Sequence, residues 1–405
     1  MEEDRLAVDG GTPVRREPVG AWPFYDEDEI DAAMGPLRTG KVSYWTGTEG
    51  REFEREYAAA AGCKHAVALA NGTVALEAGL LALGVCAGDE VVLTARTFIA
   101  SASACVARGA TPVVVDVDRD SQNITAETIA RGLTGRTKAI ICVHLAGWPC
   151  DMAPIVALAR DRGLKVLEDC AQANGAVYGG VPVGALGDAA AFSFCQDKII
   201  TTGGEGGMLT TNDEAVWRRA WEFKDHGKSY EAVYSRSHPP GFRWLHESFG
   251  TNWRLTEPQA ALGRVQLRKL PAWSAARRRN AALLAAAMRS IGALRVPEPP
   301  AGIEHAMYKF YAFVRPERLA RGWDRDRIMS AICAEGIPCF SGSCSEIYKE
   351  KAFTAAGLGP SEALPVAREL GETSLMFVVH PTLSLRDIAD TCAAVRKVLR
   401  VAERG

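Results

Sequence analysis

The sequence predicts an α/β protein: a large domain on a mainly parallel sheet flanked by helices, then a smaller C-terminal α+β domain. Three observations carry this. From about residue 60, short β-branched runs alternate with helical stretches of roughly ten residues, the pattern of βαβ crossovers in a sheet buried on both faces. The 405-residue length exceeds what one hydrophobic core usually organises. Apolar residues at 47% and charged residues at 24% give an ordinary globular balance, which argues against a disordered or fibrous chain. The expected large domain, N-terminal segment included, spans residues 1–270, and the small one spans 271–405.

The elements follow in order. AVALA (66–70) reads as a strand before the helical stretch NGTVALEAGLLALG; EVVLTA (90–95) precedes TFIASASACVARG; PVVVDVD (112–118) precedes TAETIARGL. AIICVHL (139–145) leads into MAPIVALARDRG, and KVLEDC (165–170) follows. The Gly-rich, alternating run 176–194 reads as strands with tight turns closing that sheet. Between His226 and Asn252 the pattern lapses into a loop of about 25 residues, a length that in compact proteins usually marks function or mobility. Glu257 to Ile291 is amphipathic and reads as one or two helices leading out of the first domain. PEPPAG, YKFYAFVRP, RDRIMSAICAEGI and RDIADTCAAVRKVLRVAE suit the smaller domain. No repeat or low-complexity tract is present.

Lys and Arg total 47 against 49 for Asp and Glu, a net charge of −2, so neither nucleic acid nor an anionic membrane is an expected partner. The 11 cysteines are odd in number, scattered and without a C-x-x-C pair. They read as reduced thiols, mostly buried, in a cytoplasmic protein, and not as a disulfide framework or a zinc site. The N-terminal MEEDRLAVDGG is acidic and has no apolar core, so it does not read as a signal peptide. Residues 66–88, the most apolar long stretch, are broken by Asn71, Thr73, Glu77 and glycines and make a poor membrane span.

Three segments carry chemistry. In SFCQDKIITTGGEGGMLTT (193–211) a strand-like FSF ends in a polar turn holding Lys198, with a glycine cluster behind it. This is either a surface lysine before a hairpin or an amine at the mouth of the sheet with room for a planar ligand. Lysine suits Schiff-base chemistry because burial or a cationic neighbour frees its amine. In VLEDCAQANGA (166–176), Glu168 and Asp169 fall at the C-terminal end of a predicted parallel strand, the edge where open α/β sheets bind ligands. A metal site, a ribose contact, a pyridinium partner and a helix cap all stay open there, and Gln172 faces the same ground. In ALANGTVAL (68–76), Thr73 opens a helix whose free N–H groups suit a phosphate, although N-G-T is also an ordinary turn and cap. Phosphate-loop, dinucleotide-fingerprint, H-E-x-x-H and G-x-S-x-G patterns are all missing.

Together with GGTPVR (10–15), WP (22–23), GTEGREFEREYA (47–58), TFIAS (97–101), HLAGWPCDM (144–152) and GTNWRLTEPQAALG (250–263), these segments resemble the DegT/StrS-type sugar aminotransferases, of the fold type I pyridoxal-phosphate enzymes. The resemblance covers nearly the whole chain. It implies that Lys198 holds pyridoxal 5'-phosphate as a Schiff base and shuttles the proton, and that Asp169 pairs with the pyridine nitrogen to keep the ring an electron sink. It further implies that Gln172 contacts the phenolic oxygen, that Phe98 stacks on the ring, and that Gly72, Thr73 and Ser193 form the phosphate cup. Asn252 matches the asparagine that reaches the phosphate from the neighbouring subunit, which implies a homodimer with shared active sites. No metal is implied. The segment Cys195-Gln196-Asp197 departs from the Pro or small residues of many relatives and alters the pocket rim. Some relatives carry histidine in place of the lysine and dehydrate sugars; here the lysine is present.

The expected activity is amino transfer from L-glutamate or L-glutamine to the keto group of a nucleotide-linked sugar or of a cyclitol such as an inosose. Other readings are a dehydratase and a regulatory protein that keeps the fold for ligand sensing. A nucleotide needs a diphosphate subsite, and Lys224, His226, Lys228, Arg236 and Arg243 either supply one or form a solvated basic loop.

Overall fold

The structure, a computed structural model, describes residues 5–241 and 243–403; the first residues of the acidic N-terminal stretch and Phe242 in the long loop lie outside the described residues. Seven strands form the central sheet. They are β1 (His65–Leu69), β2 (Glu90–Thr94), β3 (Thr111–Val115), β4 (Thr137–Val143), β5 (Lys165–Asp169), β6 (Ala189–Ser193) and β7 (Gly207–Thr211). Their order is β1-β7-β6-β5-β4-β2-β3, and β7 alone runs against its neighbours. The expected mainly parallel sheet is therefore present, with four of the expected strands within two residues of the sequence runs and β3 ending three residues before its run.

Burial on both faces explains why these strands read as unbroken apolar runs. Val91, Val92 and Leu93 are fully buried, and each such side chain contributes about 1.5–3 kcal/mol of hydrophobic stabilisation. Helix Gly72–Ala82 packs across the sheet through small residues: a Cβ on Gly79 would come within 2.7 Å of Leu167 in β5, so glycine sets how close the helix lies. The start of that helix is thereby pinned over the C-terminal ends of β5 and β6.

Residues 176–194 depart from expectation. Only Ala189–Ser193 enters the central sheet; the hairpin Val177–Tyr178 and Val181–Pro182 pairs with Ile303–Glu304 in a separate sheet. Among the described residues, the 226–252 segment is irregular except for the short helix Tyr230–Tyr234. Glu257–Met288 is one helix rather than two, opened by a capping box between Thr256 and Gln259 and continuous through Pro271. Its N-terminal half packs on the helices Glu27–Thr39 and Glu49–Ala60. Ala281, Leu284 and Met288 enter a second core with Phe310, Ala312 and Phe377 of a three-stranded antiparallel sheet. Leu6 joins that second core, and Ala7 N–H donates to Glu335 Oε1 at 2.8 Å.

All cysteines are free; Cys105, Cys142, Cys150, Cys170 and Cys339 are buried, whereas Cys86, Cys333 and Cys344 are exposed. Among the described residues no helix is long and apolar enough to cross a membrane.

Candidate active site

A cavity of about 620 Å³ opens at the C-terminal ends of β5 and β6, beside the turn after β1. Gly72, Thr73, Phe98, Asp169, Gln172, Ser193 and Lys198 all line it. Strand alternation decides between the adjacent carboxylates. Glu168 points away from the cavity and is saturated: it accepts from the N–H groups of Gly184, Leu186 and Gly187 at 2.8–3.0 Å and meets His144 Nε2 at 3.0 Å. Asp169 turns into the cavity. Its Oδ2 accepts from Ser101 Oγ at 2.9 Å and its Oδ1 from Ala171 N–H at 3.2 Å. Burial raises its carboxyl above the usual range, against the pull of those two bonds and of the positive charge of Lys198. An anion kept at that disadvantage is a ready partner for a cation.

Lys198 sits in the turn after β6. Its carbonyl accepts from Trp22 Nε1 at 2.9 Å, so the N-terminal segment fixes its backbone. Its Nζ lies 3.5 Å from both Asp197 Oδ1 and the Tyr308 hydroxyl. At the opposite end of the cavity, Asn71 caps helix Gly72–Ala82 by accepting from Val74 N–H at 3.0 Å. Gly72, in the first turn of that helix, lies against Ser193, and a helix start beside a hydroxyl suits a phosphate. Gln172 Oε1 accepts from Ala146 N–H at 2.6 Å, which anchors its amide at the cavity wall. Phe98 is 69% exposed at the mouth.

The described residues thus bring an amine, a buried carboxylate, an amide, an exposed aromatic ring and an anion-binding helix start around one space. Over that same chain, residues 23–396 match the DegT/DnrJ/EryC1/StrS aminotransferase family. The chain belongs to this family. Among relatives of this aminotransferase is the UDP-N-acetyl-3-dehydro-α-D-glucosamine 3-aminotransferase of Acidithiobacillus ferrooxidans, 36% identical over 92% of this chain and 94% of the relative. Another is the L-glutamine:2-deoxy-scyllo-inosose aminotransferase of Streptomyces kanamyceticus, 33% identical over 99% of this chain and 98% of the relative. The crystal structure of an aminotransferase from Psychrobacter cryohalolentis superposes with a TM-score of 0.93 at 54% identity, covering 95% of this chain and 99% of that one.

Asn252 does not join the cavity of its own chain. It is exposed and bridges Asp225 through its backbone. The expected basic loop is also corrected. Lys224 is fully buried, with Nζ 2.7 Å from Glu54 Oε1; Lys228 pairs with Asp225, and Arg236 with Glu231 and Glu247. Those three cations are held by carboxylates of this aminotransferase's own chain, while His226 and Arg243 are exposed. Sequence reasoning missed Asn71, Ser101 and Tyr308. Asn71 and Ser101 stood inside segments already singled out. Tyr308 reaches the site from the C-terminal part of the chain and leaves no local signal.

Proposed function

We propose that this aminotransferase uses pyridoxal 5'-phosphate to move an amino group from L-glutamate or L-glutamine to the ketone of a nucleotide-linked sugar. The observation that carries the reading is the placement of Lys198 and Asp169 on one cavity that ends at the helix start of Gly72 and Thr73. The donor set fits the cofactor: a primary amine for its aldehyde, a buried anion for its ring nitrogen, and free N–H groups with the Ser193 hydroxyl for its phosphate. When bound, pyridoxal phosphate supplies a carbonyl that exchanges amino groups and a ring that accepts the electron pair of a broken C–H bond.

The chain's own residues do the rest. Lys198 Nζ carries the proton that leaves one carbon and returns to another, a general acid–base task. Asp169 keeps the opposing nitrogen cationic. Gly72, Thr73 and Ser193 hold the phosphate, Gln172 fixes the ring's tilt, and Phe98 covers its face. Asn252 of the partner subunit completes the phosphate site in a homodimer, which we place in the cytoplasm. We divide the chain at residue 270 into a cofactor-binding and a smaller domain.

The name of the Acidithiobacillus relative supports a nucleotide-linked acceptor. A second reading, transfer from L-glutamine to a free cyclitol ketone, is supported by the Streptomyces relative and by the internal pairing of Lys224, Lys228 and Arg236. Amino transfer from glutamate and glutamine is measured with a UDP-linked 3-keto sugar and with an inosose. Turnover of the nucleotide sugar supports the first reading and turnover of the inosose alone the second; no transfer to either ketone contradicts both.

A further inference from the structure

Asp197 immediately precedes Lys198, and the sequence marks it only as an unusual residue on the pocket rim. In the structure three groups from two distant segments converge there. The Tyr308 hydroxyl donates to Asp197 Oδ2 and lies 3.5 Å from Lys198 Nζ, whose charge sits 5.1 Å above the Tyr308 ring. Asp197 Oδ1 is itself 3.5 Å from the amine. Tyr308 is a fixed post: it is buried, its N–H donates to Ala146 O at 2.9 Å, and its carbonyl accepts from Arg277 Nη1 at 3.3 Å. Burial opposes ionisation of Asp197, but the charge of Lys198, the Tyr308 hydroxyl and Lys309 outweigh it and hold this carboxyl below its ordinary range. The anion therefore persists at neutral pH.

An Asp–Lys pair this exposed is by itself worth about 0–1 kcal/mol. The leverage comes from Tyr308, which is rigid where the lysine stem has four rotatable bonds. We propose that Asp197 is a positioning residue: by orienting the Tyr308 hydroxyl it holds the Lys198 amine where it meets the cofactor's aldehyde. The step exchanges the aldehyde oxygen for the lysine nitrogen. One C=N bond replaces one C=O bond, two of the three hydrogens of the charged amine leave with the oxygen as water, the third stays on the new imine nitrogen, and nothing is oxidised. The proposal rests on the reading of Lys198 as the amine that bonds pyridoxal phosphate.

The test mixes cofactor-free protein with pyridoxal phosphate and follows the growth of the visible absorbance band. Asp197→Asn and Tyr308→Phe each slow that growth by about tenfold, the scale of a modest misplacement of reacting groups, with the final amplitude unchanged. Asp197→Glu recovers most of the rate, and the Asp197→Asn/Tyr308→Phe double variant is no slower than Tyr308→Phe alone. In turnover, Asp197→Asn lowers kcat and leaves the donor KM within about twofold. An unchanged rate of band growth in Asp197→Asn overturns the proposal, and so does a double variant whose slowing is the product of the two singles. Failure of the unaltered protein to form any band contradicts the cofactor assignment itself, and this proposal with it.

Discussion

Gly72 and Ser193 approach so closely that no side chain fits between them: a Cβ on Gly72 would lie 2.6 Å from the Ser193 Cβ and 3.0 Å from its Oγ. The start of helix Gly72–Ala82 and the end of β6 thus meet at the point assigned to the phosphate. Gly72→Ala forces one of them to move, and overpacking of this kind costs about 1–3 kcal/mol. Titration of the variant with pyridoxal phosphate is expected to show binding weakened by about five- to 150-fold if that cost falls on the loaded form, since 1.4 kcal/mol of lost affinity is a factor of ten. Unchanged affinity would separate the phosphate from this helix start.

Asp169 yields a pH-dependent prediction. Its folded carboxyl titrates above the ordinary value of 3.8 because it is buried. Its protonated form is the one the fold favours, so its stabilising contribution is present below pH 3.8 and lost as pH rises through the raised value. At pH 8 the buried charge is a cost in the cofactor-free protein. Asp169→Asn keeps the shape and removes the charge, so its cofactor-free form should melt higher than the unaltered protein at pH 8, with the gain shrinking toward acid pH. With the cofactor bound the order should reverse. Calorimetry of both forms at pH 8 and at an acid pH checks this, and a lower melting temperature for cofactor-free Asp169→Asn at pH 8 would count against the assignment.

The buried pair Glu54–Lys224 supports the site from behind. Lys224 Nζ lies 2.7 Å from Glu54 Oε1, and Glu54 Oε1 also accepts from Ala68 N–H in β1 at 2.8 Å, just ahead of the turn that caps the phosphate helix. Lys224→Met strands the carboxylate in the interior, a change that costs about 3–5 kcal/mol. Adding Glu54→Gln removes the stranded charge and should recover part of the loss in urea unfolding. Additive losses would show that the two side chains act independently.

The sheet was legible because parallel strands buried on both faces are written as local apolar runs, and β1 to β5 each keep one. The hairpin at 177–182 was legible as strands and turns but not as part of a separate sheet, because its partner, Ile303–Glu304, comes much later in the chain. Lys198 and Asp169 stood out by their positions at strand ends. The family resemblance singled out Asp169 over Glu168, but the physical reason needed coordinates, since it depends on N–H groups at 184–187 that consume the first carboxylate. The same limit misplaced Lys224: a lysine at the edge of a polar stretch reads as solvated until Glu54 is seen beneath it. Tyr308 was invisible for a related reason, since only folding brings it against Lys198.

Lys198 is the amine assigned to the cofactor's aldehyde. Protein loaded with pyridoxal phosphate is reduced with borohydride, digested and mapped by mass spectrometry. The prediction is a single pyridoxyl-modified peptide carrying Lys198, absent from the Lys198→Ala variant along with the visible band. Modification at another lysine, Lys309 included, or retention of the adduct and of turnover in Lys198→Ala, would contradict it.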